Sequence, residues 1–523
     1  MEIIKNNIHM NRSKVNETAQ LTIDDDFNVP DIKHDIIKII QEKASVQFTE
    51  VRAMKDHIII NGVMKFAILY LSDSSISNIQ SLSGEIPISE TMNAEGAKEG
   101  DVVTVDEKLS DLSIRIINSR KINVKAIIDV CTVIEELFDE EVAVKVDDEN
   151  RIECYNSDVE CMQLYAVKKD VFRIKDEIQL PSSKPNIHEI VWWDNSIRGL
   201  ETKPDKGHIN IRGEVTAFIL YICDDEENSM QWYETAVPFN GQIECLDCDE
   251  DMIIDIGVRI INNDMDFKED FDGEDRVITL DMVLELGIKI YREEKVSILT
   301  DAYALNRDLE LVGKNVNFNS FITKNNAKCK KQETVNIPKE HEKILQICIS
   351  NAKVNIDRIA IAENGVEVFG NLKFYIIYVT SDDKVMLDSI NDTIEFNHLI
   401  EVNDINSDCN CILKPGLEQF IVNVLDGEKV DIKATINMDL LVVRPNPVWA
   451  VMEINEGENN YDRLKDVPGI IAYIARPEDT LWKIAKENYT TVDNIKEIND
   501  IKIDKDSSLQ GIEKLLLLKM ISE

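Results

Sequence analysis

The chain has 523 residues, of which 44% are hydrophobic, which is enough for three or four domains with buried cores and argues against disorder throughout. Its 98 acidic and 58 basic residues give a formal net charge of −40, which disfavours DNA, RNA or an anionic membrane as a direct ligand because those partners select basic surfaces. No apolar run reaches the roughly 18 residues of a membrane span, and the first residues contain no apolar segment typical of a signal peptide, so we expect neither membrane insertion nor secretion.

One sequence unit occurs three times. Each copy has a proline, a glycine 32 residues later and a tyrosine 8 residues after the glycine: Pro30, Gly62 and Tyr70 in the first, Pro181, Gly213 and Tyr221 in the second, Pro338, Gly370 and Tyr378 in the third. The copies are offset by 151 and 157 residues, and chance does not keep such spacings three times. None of these residues supplies an acid, a base or a nucleophile, so we predict that they define the fold of the unit.

Each copy is predicted to be a β domain. The residues two, four, six and eight positions after the glycine are apolar or aromatic in every copy, a period of two that indicates a strand with one buried face. The glycine interrupts this pattern, which favours a bulge or a close backbone approach, and the segment after the proline favours a short helical turn or a loop pinned to the core. The chain is therefore predicted to be mainly β, with three tandem repeat domains at 1–150, 151–300 and 301–445, each a sandwich or an open barrel.

The composition changes after the third copy. Residues 446–468 are polar and acidic and contain Asn-Pro and Pro-Gly breakers, which predicts a linker. Residues 469–523 contain two apolar strand patterns, IIAYIA and LLLLK, and between them Thr480 and Thr491 each precede apolar residues at helical spacing, so each can cap a helix. This tail is predicted to be a small βααβ domain. It has 8 basic and 10 acidic residues, so the repeats and the linker carry almost all of the negative charge.

The tail resembles a LysM domain on the residues that match the LysM pattern: Tyr473, Pro477, Asp479, Thr480, Leu481, Trp482, Ile484, Ala485, Thr491, Ile495 and Asn499. The repeated unit resembles the SPOCS domain of endospore formers, and three such units before a LysM domain resemble SipL-type spore morphogenetic proteins. The resemblance implies a non-enzymatic adapter, made in the mother cell, that lies at the forespore surface and helps to recruit the spore coat. It also implies a partner for the LysM domain, stage IV sporulation protein A, the ATPase that builds the basement layer of the coat.

Two surfaces of the tail are candidate binding sites. Most LysM domains bind N-acetylglucosamine polymers in a groove, which the resemblance places at Pro477, Asp479, Thr480 and Gly511. Two departures from the pattern weaken this interpretation, because Glu478 stands where glycine is usual and Gln510-Gly511-Ile512 stands where Pro-Gly-Gln is usual. Alternation along the two strands predicts a second, apolar face turned away from the helices, and such faces tend to mark protein contacts. The residues predicted to bind a partner protein are Ile470, Ile474, Leu481, Trp482, Leu516 and Leu518.

Trp482 has two interpretations at this point, as an aromatic anchor for the partner or as a packing residue.

The sequence contains no GxxxxGK, HExxH or GxSxG motif, so we predict that the protein is not an enzyme and binds no cofactor or metal. Ten scattered cysteines favour reduced thiols in the cytoplasm, and the lone CxxC of Cys245 and Cys248 favours two ordinary thiols over zinc. The alternative function is a cell-wall or cortex-associated protein that binds peptidoglycan, and the acidic repeats could bind further coat proteins.

Overall fold

A computed structural model of the protein describes residues 2–73, 78–147, 152–225, 229–381, 385–459, 465, 467–476, 478–507, 509 and 514–520. Strands form almost all of the regular structure in the three repeats, and two short α-helices lie in the C-terminal domain. Within these ranges, no helix combines the length and the apolar character that crossing a membrane requires. The prediction of a mainly β chain with three repeated units and a small C-terminal domain is confirmed.

Each repeat consists of six strands. The first repeat contains β1 (Glu2–Asn28), β2 (Ile36–Met54), β3 (His57–Ser72), β4 (Ile79–Asn93), β5 (Val103–Asn118) and β6 (Lys121–Asp147). The second contains β7 (Ile152–Gln179), β8 (Ile187–Asp205), β9 (His208–Cys223), β10 (Met230–Glu244), β11 (Ile253–Glu269) and β12 (Asp275–Ala304). The third contains β13 (Arg307–Asn336), β14 (Ile344–Ala362), β15 (Gly365–Thr380), β16 (Leu387–Glu401), β17 (Asn410–Val424) and β18 (Lys429–Asn459).

The six strands of a repeat form two antiparallel three-stranded sheets. The second, third and fourth strands make a meander, in the orders β2-β3-β4, β8-β9-β10 and β14-β15-β16. The other sheet has the last strand in its centre, in the orders β1-β6-β5, β7-β12-β11 and β13-β18-β17. Alternate side chains of the two sheets meet in one core, which in the first repeat joins Ile58 and Ile60 of β3 to Ile122 and Val124 of β6. Each repeat is therefore a β-sandwich, one of the two forms that the sequence predicted.

The prediction of a linker at residues 446–468 is wrong for most of the residues that the structure describes there. Residues 446–459 continue β18 and pair with β13, so the third repeat ends at Asn459 and not at residue 445, and the second ends at Ala304 and not at residue 300. Pro445 and the predicted breaker Pro447 are tolerated because, among the described strands, β18 pairs only with β13 beyond Val443, where its pairing with β17 stops. A proline on a strand with one open edge need not remove a bond from the sheet.

The three sandwiches pack around a pseudo-three-fold axis. Equivalent residues of the three repeats meet in one apolar cluster, which includes Ile40, Val191 and Cys348, and also Leu69, Leu220 and Ile377. The last three follow the repeated glycine by seven positions, on the strand face opposite to the one that the sequence predicted to be buried. These strands are thus buried on both faces near their ends, because neighbouring repeats cover the face that a single sandwich would leave in water.

The long strands also extend beyond the sandwiches, and we call these three joined extensions the stem. The stem has its own apolar core, to which each repeat contributes equivalent side chains, Ala143, Leu299 and Val451. A neighbouring cluster adds Ile8 of β1 and Phe318 of β13. Each extension is an antiparallel pair formed by the first and last strands of a repeat, and we call this pair a stem hairpin. Because all three stem hairpins share these clusters, the stem ties the repeats together at a second place, separate from the cluster between the sandwiches.

The repeated tyrosine ties the proline loop to the core. Its hydroxyl donates to the backbone carbonyl four residues after the proline in every repeat, from Tyr70 to His34 at 3.3 Å, from Tyr221 to Pro185 at 3.2 Å and from Tyr378 to Glu342 at 3.0 Å. The proline carbonyl accepts a hydrogen bond from the amide three residues later in each copy. The segment is therefore a single turn pinned to the core, and the repeated residues have the structural role that was predicted for them.

The repeated glycine lies opposite a bulge in the neighbouring strand. The pairing of β2 with β3 shifts between Phe48 and Glu50, opposite Gly62, and β8 and β14 shift at the equivalent places. A Cβ atom at Gly62 would come within 2.5 Å of the Gln47 carbonyl oxygen. The bulge and the close backbone approach, which were alternatives from the sequence, occur together.

Candidate functional site

The C-terminal domain has the predicted βααβ order. Its elements are β19 (Ile470–Ile474), α1 (Leu481–Glu487), α2 (Val492–Asn499) and β20 (Lys514–Leu518), and β19 pairs antiparallel with β20. Both predicted caps are present, since the Thr480 hydroxyl accepts from the Lys483 amide at 3.2 Å and the Thr491 hydroxyl from the Asn494 amide at 3.1 Å. The helices cover one face of the two-stranded sheet through an apolar core.

The other face of this sheet is apolar and open to solvent. We call its apolar part the outer face and define it as Ile470, Ala472, Ile474, Leu516 and Leu518; the exposed Lys514, in register with Ile474, lies at its end. Ile470 is 65% exposed, Ile474 73% and Leu516 43%, whereas Leu515 and Leu517 are buried against the helices. The alternation that the sequence predicted is therefore present, with Leu518 only partly exposed. Binding of a partner by these residues stays a prediction.

Two residues predicted to bind the partner are not at the surface. Leu481 is completely buried in the core of the domain, because it is the first residue of α1 and turns toward the sheet. Trp482 is only 7% exposed, because it packs against the end of the stem in the second repeat. Both are removed from the set of direct partner contacts, and the packing interpretation of Trp482 is the one that the structure supports.

The contact around Trp482 joins the C-terminal domain to the second repeat, and we call it the clamp. The indole ring lies between two tyrosine rings, with centroid distances of 5.1 Å to Tyr155 and 4.9 Å to Tyr303. The indole Nε1 donates to Asp301 Oδ2 at 2.8 Å, and Lys486 Nζ donates to Asp301 Oδ1 at 2.7 Å. One carboxylate thus satisfies both a buried N–H group and an ammonium group of α1.

Two further contacts extend the clamp to neighbouring loops. The Tyr303 hydroxyl donates to the Thr490 carbonyl at 2.8 Å, between α1 and α2. Lys505 Nζ lies 4.4 Å from the centre of the Tyr155 ring, at cation–π distance. Burial, together with a hydrogen bond to Asp506, raises the pKa of Tyr155 to about 12, and burial also raises the pKa of Tyr303. Both tyrosines are therefore neutral donors over the physiological range.

The predicted glycan groove is described only in part. Pro477 and Gly511 lie outside the described residues. Asp479 is buried and accepts from the Tyr473 hydroxyl and from the Arg476 amide, each at 3.0 Å. Burial by itself would raise the pKa of Asp479, but these donors hold it below the usual value. Asp479 and the capping residue Thr480 therefore organise the loop and the start of α1, and the burial of Asp479 corrects its prediction as a direct glycan contact.

The CxxC cysteines occupy core positions. Cys245 and Cys248 are equivalent to Ala94 and Ala97 of the first repeat, and the main-chain hydrogen bonds around them are the same in both copies. Burial raises the pKa of both thiols, which leaves them protonated and unreactive. Across the described ranges, no group of three or more His, Cys, Asp or Glu side chains is arranged to hold a metal ion.

Sequence reasoning missed Tyr155, Asp301 and Tyr303, which complete the clamp. They lie near the ends of β7 and β12, far from the tail in sequence, and no local pattern points to them. A comparison of the three repeats could have found them, because the positions equivalent to Tyr155 and Tyr303 in the other two repeats lack aromatic rings. That comparison becomes possible only when the strand registers of the three stem hairpins are known.

Family models recognise both parts of the chain. The model of the SipL SPOCS domain matches residues 35–117, 186–268 and 343–425, at the same offsets as the internal repeat. The model of the LysM domain matches residues 473–510. No curated protein and no solved structure matches the chain.

Proposed function

Because the chain is a SipL-type protein, with three SPOCS domains followed by a LysM domain, we propose that it is a non-enzymatic adapter in endospore coat assembly. In this proposal the LysM domain binds stage IV sporulation protein A, the ATPase of the coat basement layer, at the forespore surface in the mother-cell cytoplasm. Neither SPOCS nor LysM domains are catalytic, which agrees with a binding role. The partner and the location come from family resemblance.

The observation that carries the proposal is the exposed apolar outer face. Ile470, Ile474 and Leu516 are large aliphatic residues on one surface, and complete burial of such a side chain contributes about 1.5–3 kcal/mol. Because the three are already partly covered, a partner gains about 1–2 kcal/mol from each. Exposed apolar patches of this kind tend to mark protein contacts. A polar sugar chain has little to gain from such a surface.

The test is a binding titration of the full chain with purified stage IV sporulation protein A. We expect Ile474→Lys to weaken binding at least tenfold, because it replaces the most exposed apolar side chain of the outer face by a charged one. Ile421→Lys is the matched control, since Ile421 is an exposed isoleucine on β17, and it should change the affinity by less than twofold. Equal affinity of Ile474→Lys and the parent protein would remove the outer face from the interface.

Peptidoglycan binding is the second candidate, and the match to the LysM model itself favours it. Retention of the full chain on insoluble peptidoglycan, unaffected by Ile474→Lys, would support a glycan site separate from the outer face. Under the adapter proposal, the acidic repeats remain free to bind further coat proteins. A pull-down from sporulating-cell lysate with the parent and the Ile474→Lys chain would separate those proteins from partners of the LysM domain.

A further inference from the structure

The three stem hairpins end in equivalent geometry. Each last strand has a bulge near its end, at Val144 in β6, Thr300 in β12 and Met452 in β18. The next residue of that strand faces a residue of the neighbouring strand: Lys145 faces Ile4, Asp301 faces Tyr155 and Glu453 faces Val312. The three pairs are therefore structurally equivalent, and their differences show what is particular to each repeat.

Only the second hairpin carries the residues of the clamp. Where it has Tyr155, the first and third have the aliphatic Ile4 and Val312, which are both 43% exposed. Where it has Tyr303, two positions after Asp301, the others have Asp147 and Asn455. The clamp thus breaks the three-fold symmetry of the stem, in the repeat against which Trp482 packs.

We propose that the end of the second stem hairpin is a docking site for the LysM domain of the same chain, and that Trp482 is a positioning residue, which orients the outer face without touching the partner. The docking contact stands on the clamp geometry alone. Its consequence for partner binding rests on the adapter function proposed above.

The chemistry of the contact favours one orientation of the domain. The Trp482 N–H and the Tyr303 hydroxyl each donate to one acceptor at 2.8 Å, and both residues are buried, so rotation of the domain would leave these two polar groups unpaired. The half-exposed Lys486 ammonium adds a charged contact to the same Asp301 carboxylate. Ten residues, 460–469, connect β18 to β19. Without the clamp the orientation of the domain would be less fixed, and part of the binding free energy would be lost in ordering it.

The docking contact is tested by ¹⁹F NMR of the full chain labelled with fluorotryptophan. The protein has five tryptophans, and loss of one signal in Trp482→Phe assigns that residue. We expect Asp301→Ala to shift and sharpen the Trp482 signal, because a released small domain tumbles faster than the whole chain. Asp301 lies outside the LysM core, so the substitution leaves the fold of that domain intact. An unchanged Trp192 signal, assigned in the same way by Trp192→Phe, reports an intact axis cluster.

Glu453→Ala is the matched control, at the equivalent position of the third repeat, and should leave the Trp482 signal where it is in the parent protein. A Trp482 signal with the same position and width in Asp301→Ala as in the parent would overturn the docking site. The same outcome in Glu453→Ala as in Asp301→Ala would overturn the assignment to the second repeat.

The positioning role is tested by the affinity for stage IV sporulation protein A. We expect Asp301→Ala to lower the affinity at least threefold, although Asp301 is not on the LysM domain, and Ile474→Lys to lower it without moving the Trp482 signal. If Asp301→Ala shifts the Trp482 signal but leaves the affinity for the ATPase unchanged, the positioning role is overturned and the docking site stands. If the parent protein does not bind this ATPase, the adapter function fails, and the NMR result still decides the docking site.

Discussion

Replacing the repeated glycine by alanine tests the bulge that shapes each sandwich. At Gly370 a Cβ atom would lie 2.4 Å from the Asn355 carbonyl oxygen and 2.6 Å from the ring of Phe396. The oxygen belongs to the neighbouring strand of the sheet and cannot rotate away, so the strands must separate by nearly 1 Å. At Gly213 the closest atom is instead the end of the Phe239 ring, at 2.8 Å, and the nearest carbonyl oxygen, of Arg198, is 3.2 Å away.

These distances predict that Gly370→Ala destabilises the protein more than Gly213→Ala does. Overpacking of this kind costs about 1–3 kcal/mol, and we place Gly370→Ala near the upper end and Gly213→Ala near the lower end. For a domain of this size 1 kcal/mol corresponds to about 2–4 °C in Tm, so the expected decreases are about 6–12 °C and about 2–4 °C. The assay is differential scanning calorimetry of the full chain, in which the affected repeat should unfold at the lower temperature.

Gly416→Ala provides the matched control for this experiment. Gly416 lies in β17, where a Cβ atom would have no neighbour within 4 Å and where φ lies outside the left-handed region. Alanine there should be neutral or stabilise the third repeat by about 0.5 kcal/mol, because it lowers the entropy of the unfolded chain. If Gly370→Ala lowers Tm no more than Gly416→Ala, the close approach does not constrain the strand and the reasoning fails.

Three further predictions concern single side chains. Tyr221→Phe should destabilise the second repeat by about 1 kcal/mol in urea unfolding, because the Pro185 carbonyl loses its donor, and no change would remove the tyrosine from the pinning of the loop. Burial lowers the pKa of Lys43 to about 8, below the value near 10.4 of an unfolded lysine, so the unfolded state binds more protons between these values. The free energy of unfolding of the parent should therefore rise relative to Lys43→Met between pH 8 and 10, by at most about 1.4 kcal/mol per pH unit, and parallel urea midpoints would contradict this. Thr480→Ala should destabilise the LysM domain by about 1 kcal/mol through loss of the α1 cap, measured by hydrogen exchange of α1 amides, and equal protection in both proteins would refute the cap.

The sequence alone determined the features that depend on local spacing. The period of two in IIAYI and KLLLL placed Ile470, Ile474 and Leu516 on one face of a sheet, because successive side chains of a strand point to opposite sides. Thr480 and Thr491 marked the helix starts for an equally local reason, since a cap bonds an amide three residues away. The repeat register was also readable, and it predicted the number of repeat domains and the position of the glycine that faces the bulge in each.

Only the tertiary structure decided how the repeats and the C-terminal domain pack against one another. The period of two assigned no burial to Leu69 and its equivalents, and they are buried because the faces that cover them come from other repeats. Residues 446–459 have the composition of a linker and form a strand, because β13 is present to pair with them. Trp482 contacts Asp301 across 181 positions of sequence. Contacts of this range depend on how whole domains pack, and no periodicity within a segment of the chain records that packing.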